Sequence, residues 1–408
     1  MALTGLDAAR RDGRGPLMTA LDAIVVGAGP AGSAVAAALS RVGARVVLVE
    51  RAHHPRPKAC AEYASPRIVD ELARIGLPFE AWSTDAVPLS GMHLHAGGRV
   101  VRIEYADRTG RRPAWGVDRR RFDARLAEHA AASGAELREG VAVVDVSLDD
   151  GRVTGVRLRD LSDGRDEALR APWVIGADGA RSSVARLLGV ERRVGFPRRL
   201  GLVAHHSGIP ALTDHGEMHV GNGYYVGLAP TPGGELNVGM ALPLADGGRP
   251  AAARFDGAVA GIPAVARRLR ETARLTPIRG AAPIGHRVAD VAGPGWLLIG
   301  DAAGFVDPFT GEGIHRALRS ARAAAEAITG GGDVVSAYRR ERRRAFAAKS
   351  ALSWLVQGFL AAPPLLEHAV ARLADRPEAA LRLGSALGDC RPATDALSPR
   401  ALLDVLRP

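Results

Sequence analysis

The sequence predicts an α/β fold: a parallel-sheet unit assembled from discontinuous segments, an inserted α+β region of antiparallel strands, and helices at the C-terminus. Three observations carry this. Residues 22–50 run apolar strand, glycine turn, small-residue helix, second apolar strand. Two later blocks, 173–188 and 296–328, repeat the order strand, turn, helix. Between them, residues 198–291 switch to short alternating runs separated by Gly and Pro turns. A chain of 408 residues with 47% hydrophobic content can bury the cores of two or three packed domains.

The first block is LDAIVVGAGPAGSAVAAALSRVGARVVLVER. Ala23–Val26 is an apolar run suited to a buried parallel strand. Gly27, Gly29 and Gly32 give G-x-G-x-x-G, with Ala31 inside the turn. Residues 34–39 read as a helix, and residues 45–49 as a second strand that ends in Glu50 and Arg51. Each glycine has its own physical role. Gly27 permits the tight turn, Gly29 lets backbone N–H groups approach a pyrophosphate, and Gly32 lets helix and strand pack closely. The helix N-terminus supplies donors and partial positive charge to phosphates. Glu50 can accept both hydroxyls of a ribose, which disfavours a 2′-phosphate there. The block therefore predicts a Rossmann-like, dinucleotide-binding unit.

In the second block, Trp173–Ala177 reads as a strand, Asp178-Gly179 as a turn and Ser182–Leu188 as a helix. In the third, Trp296–Gly300 is a strand ending in Asp301, and Gly311–Ile314 opens a helix that runs to Ile328. An early G-x-G-x-x-G, a central D-G and a late G-D in this order resemble FAD-dependent monooxygenases of the para-hydroxybenzoate hydroxylase type. They equally resemble the related geranylgeranyl reductases and flavin-dependent halogenases. The resemblance spans Asp22 to Ile328, and the run GDAAG…P-F-x-G-E-G-I is most similar to the reductase branch. The resemblance implies FAD as cofactor. Asp301 would then bind the ribityl or pyrophosphate part. Gly311, Gly313 and Ile314 would present N–H groups to the N1–C2=O edge of the flavin, where a helix N-terminus stabilises the negative charge of the reduced ring. Asp178 and Gly179 would lie near the FAD–nicotinamide region, with Arg181 as a phosphate contact. Arg119, before F-D-x-x-L, holds the place of an arginine that points at FAD in this superfamily. The hairpin around Asp149-Asp150-Gly151 would pass the adenine with its first strand.

The substrate side is less sharply written. Lys58, Cys60, Pro66 and Arg67 match a K-x-C-G…P-R pattern of the reductases, with Ala61 replacing the glycine. In that family the segment passes close to the flavin, so Cys60 is a candidate catalytic residue; a small buried thiol that merely packs is the other reading. Strands at 199–209, 216–222, 223–230 and 235–244, with residues 92–102, form a sheet expected to cover the flavin. Turns are expected at Gly208-Ile-Pro, Gly221-Asn-Gly and Pro232-Gly-Gly. Its polar residues include His205, Glu217, His219, Tyr224 and Tyr225, of which His219 and Tyr224 are the catalytic candidates. The reductases' Y-x-W-x-F-P signature is reduced to Tyr224–Pro230 without the Trp, and no G-W-x-W-x-I-P run or strategic lysine marks a halogenase.

Beyond Gly330 the chain reads as helical. Arg339–Arg344 beside Trp354, Leu355, Phe359 and Leu360 suit either peripheral contact with an anionic membrane through residues 339–366 or packing on the flavin domain. Residues 350–366 are short for a membrane span and carry Pro363-Pro364. Residues 1–17 have no apolar core of signal-peptide length. The two cysteines, Cys60 and Cys390, fit a reducing cytosol, no zinc-ligand spacing is present, and no metal is expected. The formal net charge is +10, but only Lys58 and Lys349 are lysines. An arginine-rich, lysine-poor chain with 4% aromatics reads as biased coding rather than nucleic-acid binding.

The domain reading is a tail at 1–19, an FAD-binding domain from 20–84, 113–190 and 280–330, a substrate-binding sheet domain from 85–112 and 191–279, and a helical region from 331–408. The expected activity is oxidoreductase chemistry on a lipophilic small molecule. NADPH or NADH would be the electron donor, bound transiently at the flavin, since no second complete G-x-G-x-x-G supplies a separate nicotinamide domain. The loss of the Trp signature inclines the reading to an NAD(P)H-dependent monooxygenase hydroxylating an aromatic, polyketide or quinone-type compound of secondary metabolism. Reduction of C=C bonds in an isoprenoid chain stands beside it. A non-catalytic dinucleotide-binding regulator would need neither the Gly311–Ile314 cradle nor the covering sheet. The expected location is cytoplasmic, peripheral at a membrane in the first reading of 339–366. Substrate identity and oligomeric state are not written in the sequence.

Overall fold

The computed structural model describes residues 20–207, 214–245 and 248–406; the expected tail and the turn expected at Gly208-Ile-Pro lie outside these. In chain order the elements that position the site begin with β1 (Ala23–Val26), α1 (Pro30–Ser40), β2 (Val46–Glu50), β3 (Gly91–Ala96) and β4 (Arg99–Glu104). They continue with α2 (Arg119–Ala132), β5 (Glu136–Glu139), β6 (Val141–Asp149), β7 (Arg152–Asp160), β8 (Asp166–Arg170) and β9 (Trp173–Gly176). The covering region holds β10 (Arg199–Ser207), β11 (His215–Val220), β12 (Tyr225–Thr231), β13 (Glu235–Pro243), α3 (Ala251–Ala260) and α4 (Pro263–Leu269). Last come β14 (Trp296–Leu298), α5 (Gly313–Gly330), α6 (Val334–Ala361), α7 (Pro363–Ala374), α8 (Pro377–Leu387) and α9 (Pro399–Leu406).

The first sheet has the order β5-β2-β1-β9-β14, with Ala292–Gly293 closing one edge. Every pairing among the five is parallel. Parallel strands must be covered on both faces, and period-two alternation assigns the cover. Ala23, Val25, Val46 and Leu48 pack in one cluster with residues of α1, α2 and α5. Ile24, Val26, Val47 and Val49 pack against Val143, Val153 and Val156 of the antiparallel β6-β7-β8 meander. On α2, Phe122, Leu126 and Ala130 are buried at the expected helical spacing.

The second sheet runs Ala273–Arg274, β10, β13, β12, β11, β3, β4, with Arg279–Ala281 added beside β10. It is antiparallel apart from one junction, where β11 pairs with β3 in parallel. That junction follows from the chain path: a long stretch of chain separates β3 and β4 from β11, so no hairpin dictates their direction. Residues 251–269, where alternation predicts no helix, form α3 and α4. They bury Phe255, Val265 and Leu269 against Leu202, Val226, Val238 and Met240. The opposite face carries Gly201, Gly227 and Gly239 on three adjacent strands, paired Gly227↔Gly239. A Cβ at Gly239 would stand 3.2 Å from the Ala61 side chain, so bare backbone here lets the 59–62 segment lie against the sheet.

The C-terminal helices close the far end. Leu360, Leu366, Val370 and Leu373 pack with Val101, Ile103 and Tyr105. Part of the basic run on α6 is tied to the protein: Arg339 pairs with Asp290 at the surface, and Arg342 donates to the Ala303 carbonyl at 2.8 Å. Arg340, Arg343 and Arg344 remain at least partly exposed. Among the described residues no single helix is long and apolar enough to cross a membrane; α6 and α7 pass that test only together, and they bend by 113°.

Candidate functional site

The glycine turn leads from β1 into α1 with the geometry its residues impose. Gly27 has φ +100°, a left-handed conformation that other residues resist. A Cβ on Gly32 would meet the Gly27 carbonyl oxygen at 1.8 Å, so only glycine lets α1 start there. Gly29 differs: its nearest neighbour would be Arg56 Nη2 at 3.6 Å, and its other side faces open space. Gly29 caps α1 without any side-chain hydrogen bond, leaving the helix N–H groups pointed at that space. Glu50, at the end of β2, is buried and accepts from the N–H groups of Ala28 at 3.0 Å and Ala52 at 3.1 Å. Arg56 adds a contact at 3.2 Å. A fixed carboxylate therefore stands beside an anion-binding turn. Asp178, at the end of β9, accepts from Ser183 N and Oγ through Oδ2, while its Oδ1 is buried with no partner.

These residues open into one cavity of about 890 Å³. Gly27, Gly29, Ala31, Glu50, Arg51 and Asp178 line one end. Val141–Val143 of β6 also line it. Asp301, Gly311, Gly313 and Ile314 line the middle. The Gly311 expectation needs correcting: its N–H already donates to the Pro308 carbonyl at 3.0 Å within a tight turn, so it is not free for a ligand. Its value lies in φ +66° and in missing side-chain bulk, since a Cβ would meet the Tyr63 ring at 2.8 Å. α5 begins at Gly313 behind Glu312, which makes no side-chain cap, so its first N–H groups remain open. The preceding loop is fixed by Asp307, which receives Arg199, the Tyr225 hydroxyl at 2.6 Å and Phe309 N at 3.0 Å.

A polar cluster underlies the middle of the cavity. Arg119 is buried and, as one of the residues lining the cavity, is held in place by its neighbours. Its guanidinium is clamped on Asp123 at 2.8 and 2.9 Å and donates to Cys60 Sγ at 3.2 Å. It thereby positions the Cys60 loop. Glu62 adopts φ +57°. Its carboxylate accepts from Arg119 N at 3.2 Å and Asn237 Nδ2 at 3.1 Å, and contacts His205 Nε2 at 2.7 Å. The bond to Glu62 raises the His205 pKa above its usual value, against the opposing effect of burial. Beside Gly311, the Tyr63 and Tyr105 hydroxyls share a 2.7 Å hydrogen bond, and burial first, then Tyr105, pushes the Tyr63 pKa up.

Of the three catalytic candidates, Cys60 lines the cavity, whereas Tyr224 and His219 do not. Tyr224 turns to the outer face, where its hydroxyl donates to the Ala258 carbonyl of α3 at 3.2 Å. The neighbour Tyr225 takes the inward place, because successive strand residues face opposite sides. His219 is also on the outer face, bonded to Glu217 at 2.9 Å. Glu62, Tyr63, Tyr105 and Asn237 carry no sequence motif; the register that joins β13 to the 60–63 segment cannot be read from local pattern.

The remaining arm of the cavity has no counterpart in the sequence motifs. It runs between the C-terminal helices and is lined by aliphatic and aromatic side chains, among them Leu352, Val356, Phe359, Ala369, Val370 and Leu373. The cavity thus joins a polar, glycine-walled end to a long apolar arm.

Residues 20–351 match the family described as FAD binding domain. The chain is 36% identical over 329 residues to the menaquinone reductase of Mycolicibacterium smegmatis, covering 77% of this chain and 78% of that one. It is 30% identical to the digeranylgeranylglycerophospholipid reductase of Methanosarcina mazei, covering 75% and 74% respectively. The solved geranylgeranyl bacteriochlorophyll reductase-like protein of Thermoplasma acidophilum superposes with a TM-score of 0.78 at 21% identity, over 94% of this chain and 96% of that one.

Proposed function

The chain belongs to the FAD-binding-domain family and is a flavoprotein oxidoreductase; from that premise we propose that it reduces a carbon–carbon double bond in the isoprenoid chain of a lipid, a prenylated quinone being the first candidate. The observation that carries this reading is the apolar arm. Leu352, Val356, Phe359, Val370 and Leu373 offer a polyprenyl tail a dry wall and no hydrogen-bond partner. Menaquinone and digeranylgeranylglycerophospholipid, named in the two relatives, share just such a tail on unlike head groups.

The residues present fit FAD: a Gly32 that tolerates no side chain, an orphaned Asp178 Oδ1, and two helix N-termini without caps. The α1 N-terminus would hold the pyrophosphate, Glu50 the ribose, and the N–H groups of Gly313 and Ile314 the polar edge of the ring. FAD bound there supplies a hydride equivalent, replenished in our reading by NADPH or NADH. Tyr63, against Gly311, and the Cys60 loop would fix the double bond at the point where the apolar arm meets the cradle. Leu352 to Leu373 would exclude water and draw the tail in. Hydroxylation, toward which the missing Trp signature inclines, has no comparable support in the site.

Exposed Trp354, Leu365, Leu403 and Leu406 lie on the helices that enclose the arm, with Arg340, Arg343 and Arg344 on α6. We read this surface as the place where a membrane-borne substrate is collected. The test of the function is anaerobic: reduced holoprotein, a polyprenyl quinone and product mass. A gain of two hydrogens under argon that persists after the quinol is re-oxidised to the quinone supports the proposal. Product that needs O₂ and carries an added oxygen overturns it.

A further inference from the structure

The outer face of the second sheet holds a histidine–carboxylate cluster that lines a second cavity. On the parallel pair β3 and β11, His95 stands beside His219, and His93 beside Glu217. Met92, Leu94 and Met218 line the flavin cavity, so the alternating His93, His95, Glu217 and His219 direct their side chains outward beneath α4, with Glu217 bordering both cavities. There they line a separate cavity of about 490 Å³, with Arg268 across it.

The geometry is that of converging ligands. Donor atoms of His95, Glu217 and His219 all lie within 4.8 Å of one another. The His95 and His219 rings stack with centroids 4.1 Å apart. His219 and Glu217 are 4% and 7% exposed. His95 Nε2 is buried with no hydrogen-bond partner, a state that costs stability unless something else meets the nitrogen. The second Glu217 oxygen is held by Arg268, whose side chain is 29% exposed and sits in the last turn of α4.

We propose that His95, Glu217 and His219 form a binding site for a borderline divalent cation of the Zn²⁺ class. Two imidazoles and one carboxylate are the nitrogen and oxygen donors such an ion takes, with a fourth position left to water. Mg²⁺ and Ca²⁺ prefer all-oxygen sets and fit poorly. Arg268 now supplies the positive charge opposite Glu217, so it competes with the ion and swings to solvent when the ion binds. The bound ion would clip together two strands far apart in sequence, at the single parallel junction of the sheet.

The test is Zn²⁺ titration of untagged, FAD-loaded protein by calorimetry. The expected result is one ion per chain with a dissociation constant below about 10 μM. His95→Ala and His219→Ala should each weaken binding at least tenfold. Arg268→Ala should tighten it severalfold, and it keeps all three ligands, so it stays decisive if a histidine variant fails to fold. No saturable binding, wild-type binding by the histidine variants, or weaker binding by Arg268→Ala would overturn the proposal.

Discussion

Gly29→Ala and Gly32→Ala add the same methyl group three residues apart, and the structure assigns them different outcomes. At Gly32 the new Cβ would lie 1.8 Å from the Gly27 carbonyl oxygen. Ordinary contact needs about 3.5 Å, so α1 must recede by roughly 1.7 Å. Overpacking of this kind costs about 1–3 kcal/mol of stability, whether or not FAD is present. It also withdraws the α1 N–H groups from the pyrophosphate, and a hydrogen bond to a charged group is worth about 1.5–3 kcal/mol. At Gly29 the nearest protein atom would be 3.6 Å away, and φ is −82°, which alanine adopts freely. The apoprotein should therefore keep its wild-type urea midpoint. The methyl group would instead occupy the space assigned to phosphate, and a loss of about 2.8 kcal/mol is a hundredfold in Kd. The assay pairs urea unfolding of flavin-stripped protein with FAD titration by fluorescence quenching. A Gly29→Ala variant that binds FAD within threefold of wild type refutes the placement of the pyrophosphate. A Gly32→Ala variant with an unchanged midpoint refutes the packing argument.

Three further outcomes follow from the site. Ala369→Phe puts a ring into the apolar arm; kcat/KM for a long polyprenyl substrate should fall at least about tenfold, the worth of two buried methylenes, while a one-isoprene analogue is unaffected. An equal loss for both analogues would count against the arm as the tail site. Asp123→Ala strands the buried Arg119 guanidinium and should cost about 3–5 kcal/mol in urea unfolding; a cost under about 1 kcal/mol would show that Cys60 and solvent suffice for Arg119. The raised pKa of His205 makes its contact with Glu62 fully stabilising below the unfolded value of 6.5, and this stabilisation is lost as pH rises through the folded value. The midpoint difference between wild type and His205→Gln should accordingly be larger at pH 6 than at pH 9, and a difference independent of pH would rule out this linkage.

The cofactor half of the molecule is legible because its motifs are local. G-x-G-x-x-G, Glu50 and the 313–314 helix start each lie within one strand–turn–helix unit, where backbone sterics alone dictate residue type. The covering sheet is legible in outline, since alternation marks strands but not which face meets the cavity. That ambiguity exchanges Tyr224 for Tyr225, one residue apart and on opposite sides. Glu62 and Asn237, 175 residues apart, meet only through tertiary register, and no local pattern announces such a pair. Arg119 is marked by its motif, yet its direction is set by Asp123 one turn later, a contact visible as an i, i+4 pair once the helix is granted. α3 and α4 are hidden because their short apolar stripes lie inside a stretch dominated by strand signals.

The apolar arm bears on how such an enzyme can diversify. Its far wall, from Leu352 to Val405, begins where the match to the flavin-binding family ends at residue 351. The flavin-binding part and the proposed tail site thus follow one another along the polypeptide. On the proposed function, exchange of the last segment would retune which lipid is accepted, provided Ser353, bonded to Glu312, and Gln357, bonded to Arg199, are kept to hold the flavin cradle.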